Sequence, residues 1–202
     1  EAMDLDAPDL TEAIDAMAAR RMHLDPTLVV FERAVHADDA AVHAHPHLGD
    51  APDALVENWR TSFNFNIGWT ADDYRRARAA FPKALQLTKR LYDKGVLLGA
   101  GTDANNPWTV AGESYHRELE LLVAAGIPPM EVLTIATRNG ARILGLERET
   151  GTLEAGKRAD LVLIAGDPLA SIGATRAVRW VMKDGRLRTP GEIRAGAGLA
   201  AR

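Results

Sequence analysis

Residues 96–103, Val-Leu-Leu-Gly-Ala-Gly-Thr-Asp, form an apolar run that ends in a carboxylate. The run is apolar on both of its alternating faces, which is typical of a parallel strand covered on both sides. Gly99 and Gly101 would let another backbone or a ligand approach closely at the mouth of this strand. Asp103 therefore emerges where the apolar packing stops, a position suited to binding a metal or moving a proton. An Asp after a strand is also a common turn former or helix cap, so both interpretations stay open.

Helical and strand-like segments alternate along the first part of the chain. Thr70 is a good N-cap ahead of two acidic residues, and Gly95 is a typical helix terminator. This alternation favours βα units that share a parallel sheet. The predicted elements are a helix over 9–20, a buried strand over 22–31 with Pro26 at an edge, end or bulge, an irregular lid or loop over 34–70, a helix over 71–93 that Pro82 kinks or divides, the strand over 96–103, and helices over 114–125 and 128–145.

After residue 150 the periodicity changes from helical to strand-like. Short strands are predicted over 151–153, 159–165 and 178–187, the last with a hairpin turn at Asp184-Gly185. Residues 189–202 are rich in Gly and Ala and show no core-building pattern, so we expect a disordered tail. The predicted domains are thus a βα part over 1–148, a small β part over 149–188 and the tail over 189–202.

Composition excludes several classes of protein. The net charge is -4 and no dense Lys/Arg run is present, so the sequence offers no surface for nucleic acid. No apolar stretch approaches the roughly 20 residues of a membrane span, so we expect no membrane partner. The chain has no cysteine, which leaves His, Asp, Glu and carbonyl oxygens as metal ligands. It begins without Met, and we expect that its beginning is missing or was processed; localisation, cytoplasmic or exported, stays open.

Four motifs occur together in one order. They are Gly-Thr-Asp-Ala at 101–104, Gly-Glu-Ser-Tyr-His-Arg-Glu-Leu-Glu at 112–120, Ala-Thr-Arg-Asn-Gly-Ala-Arg at 136–142, and Gly-Thr-Leu-Glu-Ala-Gly-Lys-Arg-Ala-Asp at 151–160. With them the chain resembles the C-terminal half of the metal-dependent amidohydrolase superfamily, in particular imidazolonepropionase-like members and Xaa-Pro dipeptidases. The resemblance implies an α/β fold: the C-terminal part of a (β/α)8 TIM-like barrel, with its last strand at 96–102, followed by part of a small β-sandwich domain.

The resemblance also implies a function. Asp103 would be the last-strand aspartate, a metal ligand and the proton shuttle in hydrolysis of a carbon–nitrogen bond in a cyclic or small amide. His116, Trp108 and Asn106 would contact the substrate, although helix-surface exposure and loop structure explain them equally well. The cofactor would be a divalent metal, zinc in the first instance, as one or two ions. Family members bind it with further ligands on the first, fourth, fifth and sixth strands, which this sequence lacks.

We therefore expect the isolated chain to be inactive and to need a missing N-terminal barrel half or an oligomer as its partner. One alternative is a catalytically inactive fragment or module that serves in binding or assembly. Another is that His43, His45 and His47 form a metal-buffering loop, against which stands an ordinary surface loop.

Overall fold

Residues 4–65 and 68–199 are described by a computed structural model, and they are shared between two units, Glu1–Ile127 and Pro128–Arg202. This division falls before the predicted boundary at residue 148. The elements of the first unit are α1 (Pro8–Ala19), β1 (His23–Leu24), α2 (Leu28–Val35), α3 (Ala40–His43), a 3-10 helix (Pro46–Asp50), α4 (Asp53–Thr61), α5 (Ala71–Asp93), β2 (Leu97–Leu98) and α6 (Glu113–Ala124).

The longest helix, α5, begins where its sequence predicts. The Thr70 hydroxyl oxygen accepts a hydrogen bond from the Asp73 N–H at 3.3 Å, and the Asp73 carboxylate accepts one from the Thr70 N–H at 2.9 Å. This reciprocal capping satisfies two N–H groups that the helix start would otherwise leave unpaired. Gly95, at φ 81°, ends the helix as predicted. Pro82 lies inside α5 without dividing it.

Two predictions for the first third of the chain are wrong. The strand over 22–31 is only two residues long, and Leu28 begins a helix instead. The β-branched composition of this segment is overridden because a distant carboxylate, that of Glu118, accepts hydrogen bonds from the N–H groups that open α2. The predicted lid or loop over 34–70 contains α3, the 3-10 helix and α4. These short helices form because their apolar residues pack into a core.

That core lies in the first unit and is built around two tryptophans. Trp59 is fully buried and Trp108 is 3% exposed, with ring centroids 6.0 Å apart. The buried members of the cluster are Val42, Leu48, Val56, Trp59, Trp108 and Val110.

The strands β1 and β2 pair in parallel, with His23 opposite Leu97 and Leu24 opposite Leu98. The carboxyl ends of parallel strands meet at the same edge of a sheet. Asp25 immediately follows β1 at this edge, and the loop after β2 leads to Asp103. The predicted βα arrangement is confirmed for this pair, and the edge it creates is where the candidate site lies.

The second unit is mixed. Its elements are α7 (Pro129–Thr134), a π-helical turn (Ile135–Asn139), α8 (Gly140–Ile143), β3 (Leu161–Ile164), a 3-10 helix (Ile172–Arg176), β4 (Val178–Lys183), β5 (Arg186–Arg188) and α9 (Pro190–Gly196). The order β3-β4-β5 is antiparallel throughout. The predicted strand over 151–153 does not form. The segment expected to be a disordered tail contains α9 instead, because Thr189 and Glu192 form a reciprocal cap at its start.

The hairpin between β4 and β5 turns at the predicted dipeptide. Asp184 and Gly185 both have positive φ, 50° and 74°, as a two-residue hairpin turn requires. The Asp160 carboxylate accepts hydrogen bonds from the Asp184 N–H at 2.8 Å and from the Lys183 ammonium at 2.6 Å. Asp160 thus fixes the hairpin tip against the start of β3.

The register divides the three-stranded sheet into two chemically different faces. One face carries only apolar side chains: Leu161, Leu163, Trp180, Met182 and Leu187. The other carries Val162 and Val181 together with the cationic side chains Lys183, Arg186 and Arg188. The predicted β-sandwich would need two sheets that face each other. In the second unit, the described residues form a single sheet, β3-β4-β5.

Within the two described stretches, no helix has both the length and the apolar character needed to cross a membrane.

Candidate active site

Asp103 lies in the loop after β2, beyond the edge where β1 and β2 end. Its backbone is left-handed, at φ 50°, a region that Asp and Asn enter more readily than most residues. Its side chain is exposed, and among the described residues its carboxylate has no hydrogen-bond or ion-pair partner. The Asp103 side chain is therefore available for chemistry, whereas its backbone carbonyl takes part in holding the turn.

Asn106 closes this turn. Its backbone N–H and its side-chain amide N–H both donate to the Asp103 carbonyl oxygen, at 3.2 and 3.0 Å. Asn106 thus supports the conformation of Asp103 from the loop itself. Its predicted contact with substrate stays a prediction.

Trp108 is a core residue, and its predicted contact with substrate stays a prediction. Its ring packs against His43 at a centroid distance of 4.5 Å and against Trp59, and only 3% of the residue is exposed. A left-handed backbone at φ 62° accompanies this buried placement.

His116 lies in the first turn of α6 and is half-buried. This agrees with its predicted place just after the Asp103 loop. Its contact with substrate stays a prediction.

The three clustered histidines are not a metal site. His43 Nε2 lies 2.9 Å from the Ala37 carbonyl oxygen, and His47 Nδ1 lies 2.9 Å from the Asp50 carboxylate. His45 Nδ1 accepts a hydrogen bond from the His47 N–H at 3.3 Å. His45 Nε2 also lies 3.8 Å from a Glu113 carboxylate oxygen of α6. Over residues 4–65 and 68–199, no three His, Asp or Glu side chains come together as a ligand set. The hypothesis of a metal-buffering loop is wrong.

The same finding bears on the divalent metal that the fold implies. Protein zinc sites use three or four side-chain ligands, and the described residues do not assemble three. Asp103 fits as one ligand, because its carboxylate is exposed and unpaired. The chain can contribute to a metal site that other residues complete, and its described residues do not form one alone.

A second carboxylate lies at the same edge and was not identified from the sequence. Asp25 Oδ1 accepts a hydrogen bond from the Gly101 N–H at 2.7 Å. A Cβ on Gly101 would lie 2.1 Å from Asp25 Oδ2, so this contact needs glycine. The Asp-Pro sequence lies inside the strand predicted over 22–31, with Pro26 at an edge, end or bulge, and no local signal shows the pairing across 76 residues.

Glu118, also missed, joins α6 to the start of α2. It is fully buried, and its two carboxylate oxygens accept hydrogen bonds from the N–H groups of Leu28 at 3.0 Å and Val29 at 2.7 Å. Thr27, the residue before them, has φ 43°, which is strained for a β-branched side chain. Helical spacing offered a signal, because Glu118 falls on the same buried face as Ser114.

Burial sets the ionisation of two groups behind this edge. Burial raises the pKa of Glu118 to about 7. The hydrogen bonds from Leu28 and Val29 lower this pKa, whereas the nearby carboxylates of Asp25 and Glu32 raise it further. Burial also raises the pKa of Tyr115 to about 12, with Asp25 and Glu118 contributing. The Tyr115 phenol is therefore neutral, while Glu118 changes charge near neutral pH.

Glu118 should make folding stability depend on pH. Its folded-state pKa of about 7 lies above the ordinary value of 4.5, so the folded chain holds this proton more tightly than the unfolded chain. The resulting stabilisation is complete below pH 4.5 and is lost as the pH rises to about 7. Urea unfolding of the chain and of Glu118→Gln between these pH values would measure it. We expect the native chain to lose stability relative to the variant, and a constant difference would contradict this.

The fold and the unpaired carboxylate define an α/β protein of the kind that places its chemistry at the carboxyl ends of parallel strands. A model of the amidohydrolase family matches residues 3–188, and the chain belongs to this family. The resemblance in the sequence motifs is thereby confirmed.

Individual relatives agree with this assignment. A 5-methylthioadenosine/S-adenosylhomocysteine deaminase of Moorella thermoacetica is 42% identical over 83 residues, 38% of this chain and 19% of that protein. An imidazolonepropionase of Rubrobacter xylanophilus is 32% identical over 120 residues, 51% of this chain and 26% of that protein. Among solved structures, a Xaa-Pro dipeptidase with bound methionine in its active site is 26% identical, with a TM-score of 0.62 over 93% of this chain and 38% of that one.

The chain spans less than half the length of each of these relatives.

Proposed function

We propose that this chain is the C-terminal portion of a metal-dependent hydrolase of carbon–nitrogen bonds, with Asp103 as its proton carrier. The observation that supports this most directly is the exposed, unpartnered Asp103 carboxylate beyond the carboxyl edge of a parallel strand pair. The relatives add support, since deaminases and dipeptidases break carbon–nitrogen bonds. The substrate class we propose is a small molecule with a cyclic amide, amide or amidine-like carbon.

In this proposal the strand pair and its loops are the last part of a (β/α)8 barrel, and the β3-β4-β5 sheet is part of a small β-sandwich. The first strands and the remaining metal ligands would come from the N-terminal part of the barrel. The chain would then be inactive alone, because it holds one ligand where zinc needs three or four.

The chain's own chemistry follows from Asp103. A divalent metal, when bound, would supply a water of lowered pKa. Asp103 would accept a proton from this water as a new carbon–oxygen bond forms, and would then donate that proton to the leaving nitrogen as the carbon–nitrogen bond breaks. Asn106 would keep the Asp103 backbone in place through its two hydrogen bonds. The candidates for substrate contacts are His116, in the first turn of α6, together with Asn106 and Trp108.

Complementation tests this proposal. The chain is co-expressed with the N-terminal portion of an amidohydrolase family member, supplied with zinc or manganese, and assayed on small amides, a proline dipeptide and an aminopurine nucleoside. We expect turnover only when both portions and a metal are present, with each portion alone as the control. A complex that forms and retains metal without any turnover would contradict hydrolysis and favour the alternative, a module for binding or assembly.

A further inference from the structure

We propose that Asp25 is a positioning residue for Asp103, a role that rests on the proposed function. Asp25 would act through the Gly101 N–H, which lies two residues before Asp103 in the loop after β2. The Asp25 side chain itself would not touch the reacting atoms.

The contact between Asp25 and Gly101 is short and specific. Asp25 Oδ1 lies 2.7 Å from the Gly101 nitrogen, a distance typical of a hydrogen bond to an ionised acceptor. The nearest atoms to a Cβ built on Gly101 are Asp25 Oδ2 at 2.1 Å, Cγ at 2.9 Å and Oδ1 at 3.2 Å. The carboxylate therefore lies directly against the Gly101 backbone, in the space that any larger residue would fill.

On its far side from Asp25, the loop after β2 is tied to α4, because Trp59 Nε1 donates a hydrogen bond to the Asn105 carbonyl oxygen at 3.4 Å. The hydrogen bonds from Asn106 to the Asp103 carbonyl lie within the loop and do not tie it to the sheet. The parallel ladder ends with the Gly99 N–H, which donates to the Leu24 carbonyl oxygen at 2.9 Å. Beyond that bond, the hydrogen bond from the Gly101 N–H to the Asp25 carboxylate is the next one that connects the end of β2 to the end of β1.

Asp25 is itself well placed to serve as a fixed anchor. It precedes Pro26, whose ring restricts the backbone on either side of the Asp-Pro bond. Leu28 and Val29, shortly after it, are held by the buried Glu118 carboxylate. The segment that carries Asp25 is thus held by the pairing of β1 with β2 on one side and by Glu118 on the other, so its hydrogen bond transmits a defined position to the Asp103 loop.

The first test measures the loop directly in the full 202-residue chain. Hydrogen exchange of the Gly101 amide, followed by NMR, should become about 10–100-fold faster in Asp25→Ala, as expected for loss of a hydrogen bond to a charged group. Asp25→Asn keeps an acceptor oxygen and should retain most of the protection. Asp53→Ala, an exposed aspartate in the first turn of α4, is the matched control. Unchanged exchange in Asp25→Ala would overturn the proposal, whether or not the chain proves to be part of a hydrolase.

The second test uses the complemented enzyme and separates positioning from general stability. Asp25→Ala should lower kcat about 10–100-fold with KM unchanged, because a misplaced proton carrier slows the chemical step rather than substrate binding. Asp25→Asn should restore kcat to within about fivefold of the native enzyme, since a neutral oxygen is a weaker acceptor of the same bond. Full activity in Asp25→Ala would overturn the proposal while leaving the proposed function intact.

A double-mutant cycle gives a third readout. Gly101→Ala should raise the hydrogen-exchange rate of the amide at position 101 and lower kcat at least as much as Asp25→Ala does, because the added Cβ displaces the Asp25 carboxylate. Since the three atoms nearest to that Cβ belong to Asp25, Gly101→Ala should do little further harm in the Asp25→Ala background. Additive losses would show that the two residues act independently and would contradict the assigned role.

Discussion

Asp103→Asn in the complemented enzyme should lower kcat about 10²–10⁴-fold, the range typical of removing a general acid–base group. The amide cannot take up a proton from water at neutral pH, although it fills the same space. Stability should stay within about 0.5 kcal/mol of the native chain, because the Asp103 carboxylate has no partner among the described residues and Asn tolerates the left-handed backbone at φ 50°.

Initial rates with saturating substrate, together with urea unfolding of both proteins, test this expectation. Asn is the informative replacement, since Ala would add backbone strain at a positive φ. Asp53→Asn, also exposed, serves as the control for a change of surface charge. Undiminished activity of Asp103→Asn would contradict the role of Asp103 as a proton carrier. A large loss of stability would point instead to Asp103 as a turn former, the alternative that its sequence position left open.

Glu118→Ala should destabilise the chain by about 3 kcal/mol or more. Removing this carboxylate leaves the Leu28 and Val29 N–H groups buried without acceptors, and each such group costs about 1–3 kcal/mol. The strained backbone of Thr27 would also lose the contact that holds the residues after it.

Equilibrium urea unfolding at pH 6 would measure this loss. Glu12→Ala, an exposed glutamate in α1, is the control and should change stability by no more than about 0.5 kcal/mol. Glu118→Gln should fall between the two, because one amide oxygen can still accept one of the two hydrogen bonds. Equal stability of Glu118→Ala and the control would show that solvent satisfies those N–H groups.

The sequence predicted features that neighbouring residues determine. Thr70 and Asp73 define the start of α5, and Gly95 defines its end. The dipeptide Asp184-Gly185 specified the hairpin turn for the same reason. In each case the residues that satisfy or bend the backbone lie within a few positions of one another.

The sequence could not predict features that depend on distant partners. The segment after Pro26 was expected to be a strand because its composition is apolar and β-branched, yet the Glu118 carboxylate, 89 and 90 residues away, stabilises a helix start there. The burial of Trp108 likewise depends on Trp59 from α4, a segment expected to be a loop. Asp103 itself was found because it follows an apolar strand, but its link to Asp25 through Gly101 required the structure.

Because the two faces of the β3-β4-β5 sheet differ chemically, its strands must pair in one register. A slip of one residue between β4 and β5 would turn Arg186 and Arg188 toward the side that carries Met182 and Leu161, because side chains alternate strictly along a strand. The two-residue turn at Asp184-Gly185, which is hydrogen-bonded to Asp160, is too short to allow such a change of register. The residues of the hairpin turn thus fix the strand register, and the register determines which face of the sheet is apolar and which is cationic.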